Sequence, residues 1–341
     1  MQKDIRDLSF DELSSFLKEC GEKPFRATQI FEWIYQKGAW SFDDMSNLSK
    51  ELREKLAKEF ILEKLTIDKK EVAADGTTKF LFDLNDNEKI ETVLIPTDTR
   101  TTVCISTQAG CKFGCKFCAS GIGGWKRNLT VAEIISQVLH IKEEALSHEN
   151  PLSHIVYMGV GEPMDNFDNL IKAIRIINDE RAINIGARRI TVSTCGVIPN
   201  ILQLGREGIQ IELAISLHGY DNDSRNVLMP VNKKYPFDDL IEACRSYQDN
   251  YRRQITFEYI LIDGVTCSDK AIKALKKAFR GLICKMNLIP YNPVSEFDHK
   301  TPSRKDMFKF RDQLNDFGIH ATIRTPRGKD INGACGQLRH S

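Results

Sequence analysis

Residues 101–118 read TTVCISTQAGCKFGCKFC and contain the pattern that decides the fold. A run rich in β-branched residues, 102–107, leads into a loop in which Cys111, Cys115 and Cys118 follow the spacing C-x₃-C-x₂-C. β-Branched residues favour strands, whereas the neighbouring glycines favour irregular backbone. Three cysteines in a loop that directly follows a strand indicate a metal or cofactor site at the carboxyl end of that strand.

The same order of strand, loop and helix continues from residue 101 to about residue 330. The strand candidates are TVCIST (102–107), HIVYMG (154–159), RITVST (189–194), QIELAIS (210–216), ITFEYILI (255–262), KMNLIPY (285–291) and IHATIRT (319–325). Amphipathic stretches such as 130–146 and 168–180 separate them. This alternation predicts a parallel sheet with helices outside it. Six or seven units are fewer than the eight of a closed barrel, so we expect an α/β fold with a partial, open β/α barrel. A doubly wound sheet is the alternative.

The segment before residue 101 has a different pattern. Ser9 and Glu12 form a capping-box pattern, and two amphipathic runs, 25–38 and 49–60, follow it. Two strand-like runs, 78–84 and 89–97, are separated by the turn-forming NDN. We therefore predict four regions: an N-terminal helical domain (1–75), a β-extension (76–100), the partial barrel (101–330) and a C-terminal loop (331–341).

Composition excludes several broad classes of protein. The chain has 341 residues, and 48 Lys and Arg against 47 Asp and Glu give a net charge of +1. Such a balance provides no overall field for nucleic acid, so any RNA must be held by local basic patches. No apolar run approaches the roughly 20 residues that cross a bilayer, and the first residues lack the apolar stretch of a secretory signal. We expect a cytoplasmic protein that makes no membrane contact and whose ten cysteines stay reduced.

The cysteine loop has two chemical interpretations. Three thiolates on one loop can bind three irons of a 4Fe–4S cluster and leave the fourth iron open to the amino and carboxylate groups of a small molecule. A structural zinc site is the alternative, but zinc prefers four protein ligands and no Cys or His lies close behind Cys118. Because the other strands also end in polar or Gly/Pro-rich loops, we expect all these loops to line one mouth of the barrel.

The C-x₃-C-x₂-C motif resembles that of the radical S-adenosylmethionine (SAM) superfamily. The resemblance implies a partial β/α barrel, a 4Fe–4S cluster bound by Cys111, Cys115 and Cys118, and cleavage of SAM to a 5′-deoxyadenosyl radical. The radical chemistry belongs to the cofactor, and the protein positions and secludes it. Loops at the strand ends match the superfamily's SAM contacts, which implies that Gly161, Glu162, Ser193, Ser216, Leu217, His218 and Asn292 bind this cofactor.

A longer set of motifs resembles the RlmN-type RNA adenosine C2 methyltransferases through nearly the whole chain. The motifs are FRATQIFEWIYQKG, ETVLIP, TRTTVCISTQAGCKFGCKFCASG, WKRNLT, MGVGEP and ACGQL. The resemblance implies methylation of carbon 2 of an adenosine in 23S ribosomal RNA, at the peptidyl-transferase centre. It also implies tRNA as a second substrate, at the adenosine 3′ of the anticodon.

This resemblance assigns roles to three residues outside the cluster motif. Carbon 2 of adenine is electron-poor and does not attack the methyl group of SAM as a nucleophile. The resemblance implies that Cys335 first accepts a methyl group from one SAM, and that a second SAM supplies the radical that activates this methyl group for addition to the base. Cys104 then attacks the sulfur of Cys335, releases the RNA and leaves a transient disulfide. Glu91 matches the family's proposed acceptor of the proton lost from the base.

We expect RNA to be held by basic side chains around the mouth and on the N-terminal domain. The candidates are Lys112, Lys116, Lys126 and Arg127 beside the cluster motif, Arg324, Arg327 and Lys329 beside Cys335, and Lys23, Arg26 and Lys37 near the N-terminus. Two SAM molecules per turnover, an external one-electron donor of the flavodoxin or ferredoxin type, and a monomeric state complete the expectation.

Three other functions stay open from the sequence. A methyltransferase for carbon 8 of the same ribosomal adenosine shares all five cysteines, although Leu94-Ile95-Pro96 and the Pro163 after Glu162 resemble the C2 type. A radical activase that acts on a protein glycine has no use for Cys104 and Cys335. An RNA-binding protein with a structural metal does not cleave SAM.

Overall fold

The structure is a computed structural model that describes residues 2–339. Seven parallel strands form most of its main sheet. The strands are β1 (Lys3–Asp4), β2 (Phe60–Ile61), β3 (Thr66–Val72), β4 (Thr78–Asp83), β5 (Lys89–Thr97), β6 (Arg100–Cys104), β7 (Gln108–Gly110), β8 (Trp125–Asn128), β9 (Leu152–Tyr157), β10 (Ile190–Thr194), β11 (Glu212–Ser216), β12 (Ile255–Leu261), β13 (Cys284–Pro290) and β14 (His320–Ile323). The main sheet has the order β14-β13-β12-β11-β10-β9-β6-β5-β4-β3.

This order confirms the open β/α barrel. The parallel strands β6 and β9 to β14 follow one another in space as they do in sequence, without the reversal of order that marks a doubly wound sheet. β3 and β14 form the two edges, so the sheet does not close. The parallel strands correspond to the seven predicted runs, because buried parallel strands appear in the sequence as nearly continuous apolar segments.

The antiparallel strands β3, β4 and β5 continue the main sheet beyond β6. The runs predicted at 78–84 and 89–97 correspond to β4 and β5. Thr66–Val72, in contrast, forms a strand within the region that we expected to be helical. Its sequence TIDKKEV contains only two apolar residues, because this edge strand is exposed over most of its length. Charged side chains on an edge strand prevent pairing with other chains. The proposed domain boundaries at residues 75, 100 and 330 stay predictions.

Helices cover the sheet and build the N-terminal region. They are α1 (Phe10–Glu19), α2 (Phe25–Phe31), α3 (Lys50–Glu59), α4 (Val131–Glu144), α5 (Phe167–Asn178), α6 (Ile198–Arg206), α7 (Asn222–Leu228), α8 (Phe237–Tyr251), α9 (Asp269–Ala278) and α10 (Arg304–Asp316). The capping box predicted at Ser9 with Glu12 forms, and a second capping box forms at Thr130 with Glu133. Within residues 2–339, no helix combines the length and apolarity needed to span a bilayer.

Candidate active site

The cysteine loop closes on itself through a two-stranded ribbon that the sequence did not predict. β7 pairs with β8 on either side of the loop, and the Cys111 amide donates to the carbonyl of Gly124 at 3.1 Å. Gly110 has φ +74°, and a Cβ at this position would lie 1.8 Å from that carbonyl oxygen. Only glycine permits this close approach, which brings the two ends of the loop together and fixes residues 111–124 as a unit.

The three motif cysteines line one cavity at the carboxyl ends of the parallel strands. Cys111, Cys115 and Cys118 contribute to its wall, and the cavity encloses about 900 Å³ when the part open to solvent is counted. Burial raises the pKa of Cys111 to about 12 and the pKa of Cys115 well above its usual value. Metal binding requires thiolates, so bound iron would offset the cost of ionising these buried groups.

The donors fit an iron–sulfur cluster. Thiolates are soft ligands of the kind that hold Fe–S clusters, and three of them face the same space. Within residues 2–339, no three Cys, His, Asp or Glu side chains are placed as joint ligands of a single ion. The cysteines surround a cavity, and Cys111, Cys115 and Cys118 are the residues that would hold the cluster.

Gly161 and Glu162 also line the cavity, in the loop that follows β9. Gly161 has φ +104°, and a Cβ there would lie 2.6 Å from Cβ of Gln108, so the chain passes closer than a side chain would permit. The Glu162 carboxylate accepts hydrogen bonds from the amides of Cys195 (2.7 Å) and Met164 (3.0 Å). Burial raises the pKa of Glu162. A fixed carboxyl group at this wall is suited to accept a hydrogen bond from an ammonium group.

Three further SAM-contact candidates line the same cavity, namely Ser193, Ser216 and His218. The two serine hydroxyl oxygens are 3.3 Å apart at the ends of adjacent strands β10 and β11. His218 has φ +51°, and its Nδ1 accepts from the Ile260 amide at 3.1 Å. Burial lowers the pKa of His218 to about 3, so its imidazole is neutral at physiological pH.

The remaining two candidates lie outside the cavity wall. Leu217 is fully buried in the core, and its amide and carbonyl are both hydrogen-bonded within the protein. Asn292 is buried, and its amide donates to the carbonyl of Cys335 at 3.1 Å. Its Oδ1 has no hydrogen-bond partner within the described residues. A buried acceptor of this kind is free to bind a polar group of a ligand.

The C-terminal loop places Cys335 at the cavity. The Ala119 amide donates to the carbonyl of Gly336 at 2.7 Å, and the Ser120 hydroxyl donates to the carbonyl of Leu338 at 2.8 Å. These bonds attach the tail to the end of the cluster loop. Cys335 is exposed and lines the same cavity as the three motif cysteines.

Cys104 ends β6 and is buried together with Leu338 in a small apolar cluster that also contains Val93 and Val160. Both Cys104 and Cys335 are free thiols. Burial raises the pKa of Cys104 to about 12, and the Cys335 charge raises it further, whereas Arg324 lowers it. The packing of Cys104 against Leu338 brings it to the tail that carries Cys335.

Arg324, which we expected to contact RNA, lies in the cavity wall. Its guanidinium is 3.5 Å from the Glu258 carboxylate, which also accepts from the Asn287 amide at 2.8 Å. The Cys335 thiolate is the largest cause of the raised pKa of Arg324. A cation held at this position favours the thiolate form of Cys104. Arg324 and Glu258 gave no sequence signal of this role because each has the pattern of an ordinary charged residue in or after a strand.

Glu91 does not line the cavity. Its carboxylate is buried and makes an ion pair with Lys79 at 3.0 Å, and it accepts from the Arg339 amide at 2.6 Å. Burial raises the pKa of Glu91, while Lys79 opposes that shift. Arg339 follows Cys335 closely in the chain. The tail that carries Cys335 therefore contacts the Glu91 side chain directly.

Several predicted RNA-contact cations are already paired within the protein. Arg127 donates to Glu133 at 2.7 and 2.8 Å, Lys112 lies 2.7 Å from Asp165, and Arg327 lies 3.9 Å from Asp75. Near the N-terminus, Lys37 stacks over Trp33 at 4.0 Å and Arg26 over the exposed ring of Phe25 at 4.9 Å. The N-terminal cations therefore present aromatic and charged groups together.

Comparison with known proteins identifies close relatives over the whole chain. The family model of the ribosomal RNA large subunit methyltransferase N-terminal domain matches residues 3–62, and that of the radical SAM superfamily matches residues 105–288. Probable dual-specificity RNA methyltransferases RlmN from Staphylococcus aureus strains JH9 and Newman are each 47% identical over 338 residues, which cover 99% of this chain and 93% of the relative. The crystal structure of a radical SAM methyltransferase from Sphaerobacter thermophilus is 44% identical with a TM-score of 0.96, covering 99% of this chain and 100% of that one.

Proposed function

The chain belongs to the RlmN family of radical SAM RNA methyltransferases, and on that premise we propose that it methylates carbon 2 of adenosine in 23S rRNA and in tRNA. The observation that carries the proposal is the position of two thiols outside the cluster motif. Cys335 lines the cavity that the three motif cysteines share, and Cys104 is buried against Leu338, which lies on the same tail as Cys335. A radical SAM enzyme that only generates a radical on a substrate does not need this second pair.

A radical SAM protein uses a 4Fe–4S cluster and SAM, which together supply a 5′-deoxyadenosyl radical when bound. We assign one cluster to each chain, held by Cys111, Cys115 and Cys118, and two SAM molecules to each turnover. Gly161, Glu162, Ser193, Ser216 and His218 surround the space for SAM. Leu217 supports this wall from the core, and Asn292 offers its free Oδ1.

Cys335 is suited to accept the methyl group because it is exposed at the cavity and lies on an irregular loop. Once the methyl carbon is joined to the base, the Cys104 thiolate attacks the Cys335 sulfur. A sulfur–sulfur bond forms, the bond from Cys335 to carbon breaks, and its electron pair remains on the carbon, which takes up a proton. Because burial holds the pKa of Cys104 at about 12, this step depends on Arg324, which favours the thiolate.

Glu91 is our candidate acceptor of the proton lost from carbon 2. Its buried carboxylate has a raised pKa, which makes it a better base than an exposed carboxylate. Lys79 and the Arg339 amide occupy its two oxygens. Glu91 therefore acts only after the tail amide releases Oε2, and such a release couples proton removal to movement of the Cys335 loop.

Partners follow from this chemistry. We propose that RNA reaches the mouth from the side of the N-terminal region, where Lys37 with Trp33 and Arg26 with Phe25 present cations beside aromatic rings. A one-electron donor of the flavodoxin or ferredoxin type reduces the cluster. We propose a cytoplasmic location, because the cysteines must return to the reduced state after each turnover. We also propose that the enzyme is a monomer.

The test is an anaerobic reaction of cluster-loaded protein with reductant, SAM and unmodified 23S rRNA, followed by mass spectrometry of the digested nucleosides. We expect 2-methyladenosine from the wild-type chain and none from Cys335→Ala. Formation of 8-methyladenosine would identify the C8 activity. SAM cleavage without any methylated base would refute both the C2 and the C8 activity on 23S rRNA. A parallel reaction with tRNA tests the second proposed substrate.

A further inference from the structure

Arg225 is a fully buried cation that has only neutral hydrogen-bond partners. It lies on α7 and is 0% exposed. Its guanidinium donates to the carbonyls of Leu217 (3.1 Å), Cys195 (2.6 Å) and Tyr235 (3.2 Å) and to Oδ1 of Asn232 (2.8 Å). Within residues 2–339, no Asp or Glu oxygen lies within 4.0 Å of this group.

Such an arrangement is costly unless a negative charge completes it. Carbonyl oxygens orient a guanidinium and replace part of its hydration, but they do not neutralise its charge. Buried charges in proteins are normally paired or coordinate a metal site. The burial of Arg225 therefore indicates an anionic group nearby that is not an Asp or Glu side chain.

The anionic group that the fold places there is the cluster-binding loop. The carbonyl that Arg225 holds belongs to Cys195, which lines the same cavity as Cys115. The Lys116 amide donates to the carbonyl of Leu228 at 2.9 Å, so the residue after Cys115 is attached to the end of α7. The bond to Cys195 and the attachment of Lys116 to the end of α7 therefore place Arg225 beside the segment that carries Cys115.

Two glycines leave space for this side chain. A Cβ at Gly196 would lie 3.2 Å from Nη2 of Arg225, and a Cβ at Gly219 would lie 2.8 Å from its Cβ. The two strand-end loops that follow β10 and β11 therefore pass close to Arg225. The position is shaped around an arginine.

We propose that Arg225 is a positioning residue that supplies the buried counter-charge for the thiolates of the cluster site. This inference rests on the proposed cofactor. Reduction adds one negative charge to a thiolate-bound cluster, so a buried cation at a fixed distance favours the reduced state. Arg225 therefore raises the reduction potential of the cluster and stabilises its binding.

Two substitutions separate charge from hydrogen bonding. Arg225→Lys keeps the charge and loses most of the planar set of donors, whereas Arg225→Gln keeps an amide donor and loses the charge. Arg245→Gln is the matched control, because Arg245 also donates to backbone carbonyls, at Arg280 and Ala278, but is half-buried and lies 4.0 Å from the Glu242 carboxylate. Iron content and the midpoint potential are measured in each reconstituted protein without SAM, by redox titration monitored by electron paramagnetic resonance.

We expect a more negative potential and less bound iron in Arg225→Gln, with Arg225→Lys close to wild type and Arg245→Gln unchanged. Equal shifts in the Lys and Gln variants would show a purely structural role and overturn the inference, as would a wild-type potential in Arg225→Gln. Loss of cluster binding by the wild-type chain would instead refute the proposed cofactor.

A second measurement separates loss of stability from loss of cluster binding. Arg225→Met removes the charge and takes the donor away from the four oxygens that Arg225 binds. We expect the cluster-free Met variant to unfold at a lower urea concentration than cluster-free wild type, and to retain less iron on reconstitution in buffer where both proteins are folded. A Met variant that is less stable without the cluster and retains wild-type iron would contradict the inference.

Discussion

Leu338 is the apolar anchor that holds the C-terminal tail against Cys104. Its side chain is 4% exposed and packs with Val93, Cys104 and Val160. Leu→Ala substitutions in protein cores cost about 2–5 kcal/mol, and we expect the lower end here because the group of apolar side chains around Leu338 is small. A cost of about 2 kcal/mol that falls on tail docking raises the undocked population roughly 30-fold.

Alkylation of Cys104 measures this population. Cys104 is 7% exposed beneath the tail, and each undocking event exposes it to a small haloacetamide. We expect Leu338→Ala to increase its alkylation rate about 30-fold, as determined by peptide mass spectrometry of the cluster-loaded protein. Cys244 is the internal control, because burial raises its pKa to about 12 as well, but it lies in the main core and reacts only on global unfolding.

A surface variant controls for the substitution itself. Leu146 is 77% exposed, so Leu146→Ala should leave both cysteines at wild-type rates. An unchanged Cys104 rate in Leu338→Ala would refute the tail anchor. A parallel increase at Cys244 would show that the variant destabilises the whole fold and that the tail does not open separately.

Two further predictions concern stability. Gly161→Ala should cost about 2–4 kcal/mol in urea unfolding, because it combines a left-handed backbone with a Cβ 2.6 Å from Gln108. Gly208→Ala, at φ +69° with nothing within 4 Å, should cost only about 1 kcal/mol, and equal costs would contradict the close approach. Burial lowers the pKa of His140 from 6.5 to about 4. As the pH falls, the unfolded chain therefore takes up a proton on His140 before the folded chain does. We expect up to about 3 kcal/mol of folding stability to be lost between pH 6.5 and pH 4. His140→Phe should flatten this dependence of stability on pH, whereas His320→Gln, at an exposed position, should not. An unchanged pH dependence in His140→Phe would contradict the role of His140.

The barrel could be predicted from the sequence because its strands are buried on both faces. Strands such as Ile255–Leu261 consist largely of apolar residues, and each is followed by a polar loop. The edge strand Thr66–Val72 could not be found in this way, because its exposed side chains follow no apolar period. The ribbon around the cysteine loop depends on the contact of Gly110 with Gly124, which lies beyond the far end of the loop and is invisible to local patterns.

The candidate site was predicted in part. Cysteine spacing and the resemblance indicated the residues that line the cavity, including Cys335. The roles of Arg225 and Arg324 were not predicted, because a charged residue in a polar segment ordinarily indicates solvent-exposed surface. Arg225 is buried only because α7 packs beneath the strand-end loops, and Arg324 faces the cavity only because β14 ends beside Cys335. Both positions depend on tertiary packing, which local sequence patterns do not show.

The central claim is that Cys335 carries the methyl carbon and Cys104 releases it. The most direct measurement uses Cys104→Ala, incubated anaerobically with SAM, reductant and unmodified RNA and then analysed under denaturing conditions. We predict RNA that remains covalently joined to the protein at Cys335, identified by peptide mass spectrometry and absent from the Cys104→Ala/Cys335→Ala double variant. Release of free methylated RNA by Cys104→Ala at the wild-type rate would contradict the account.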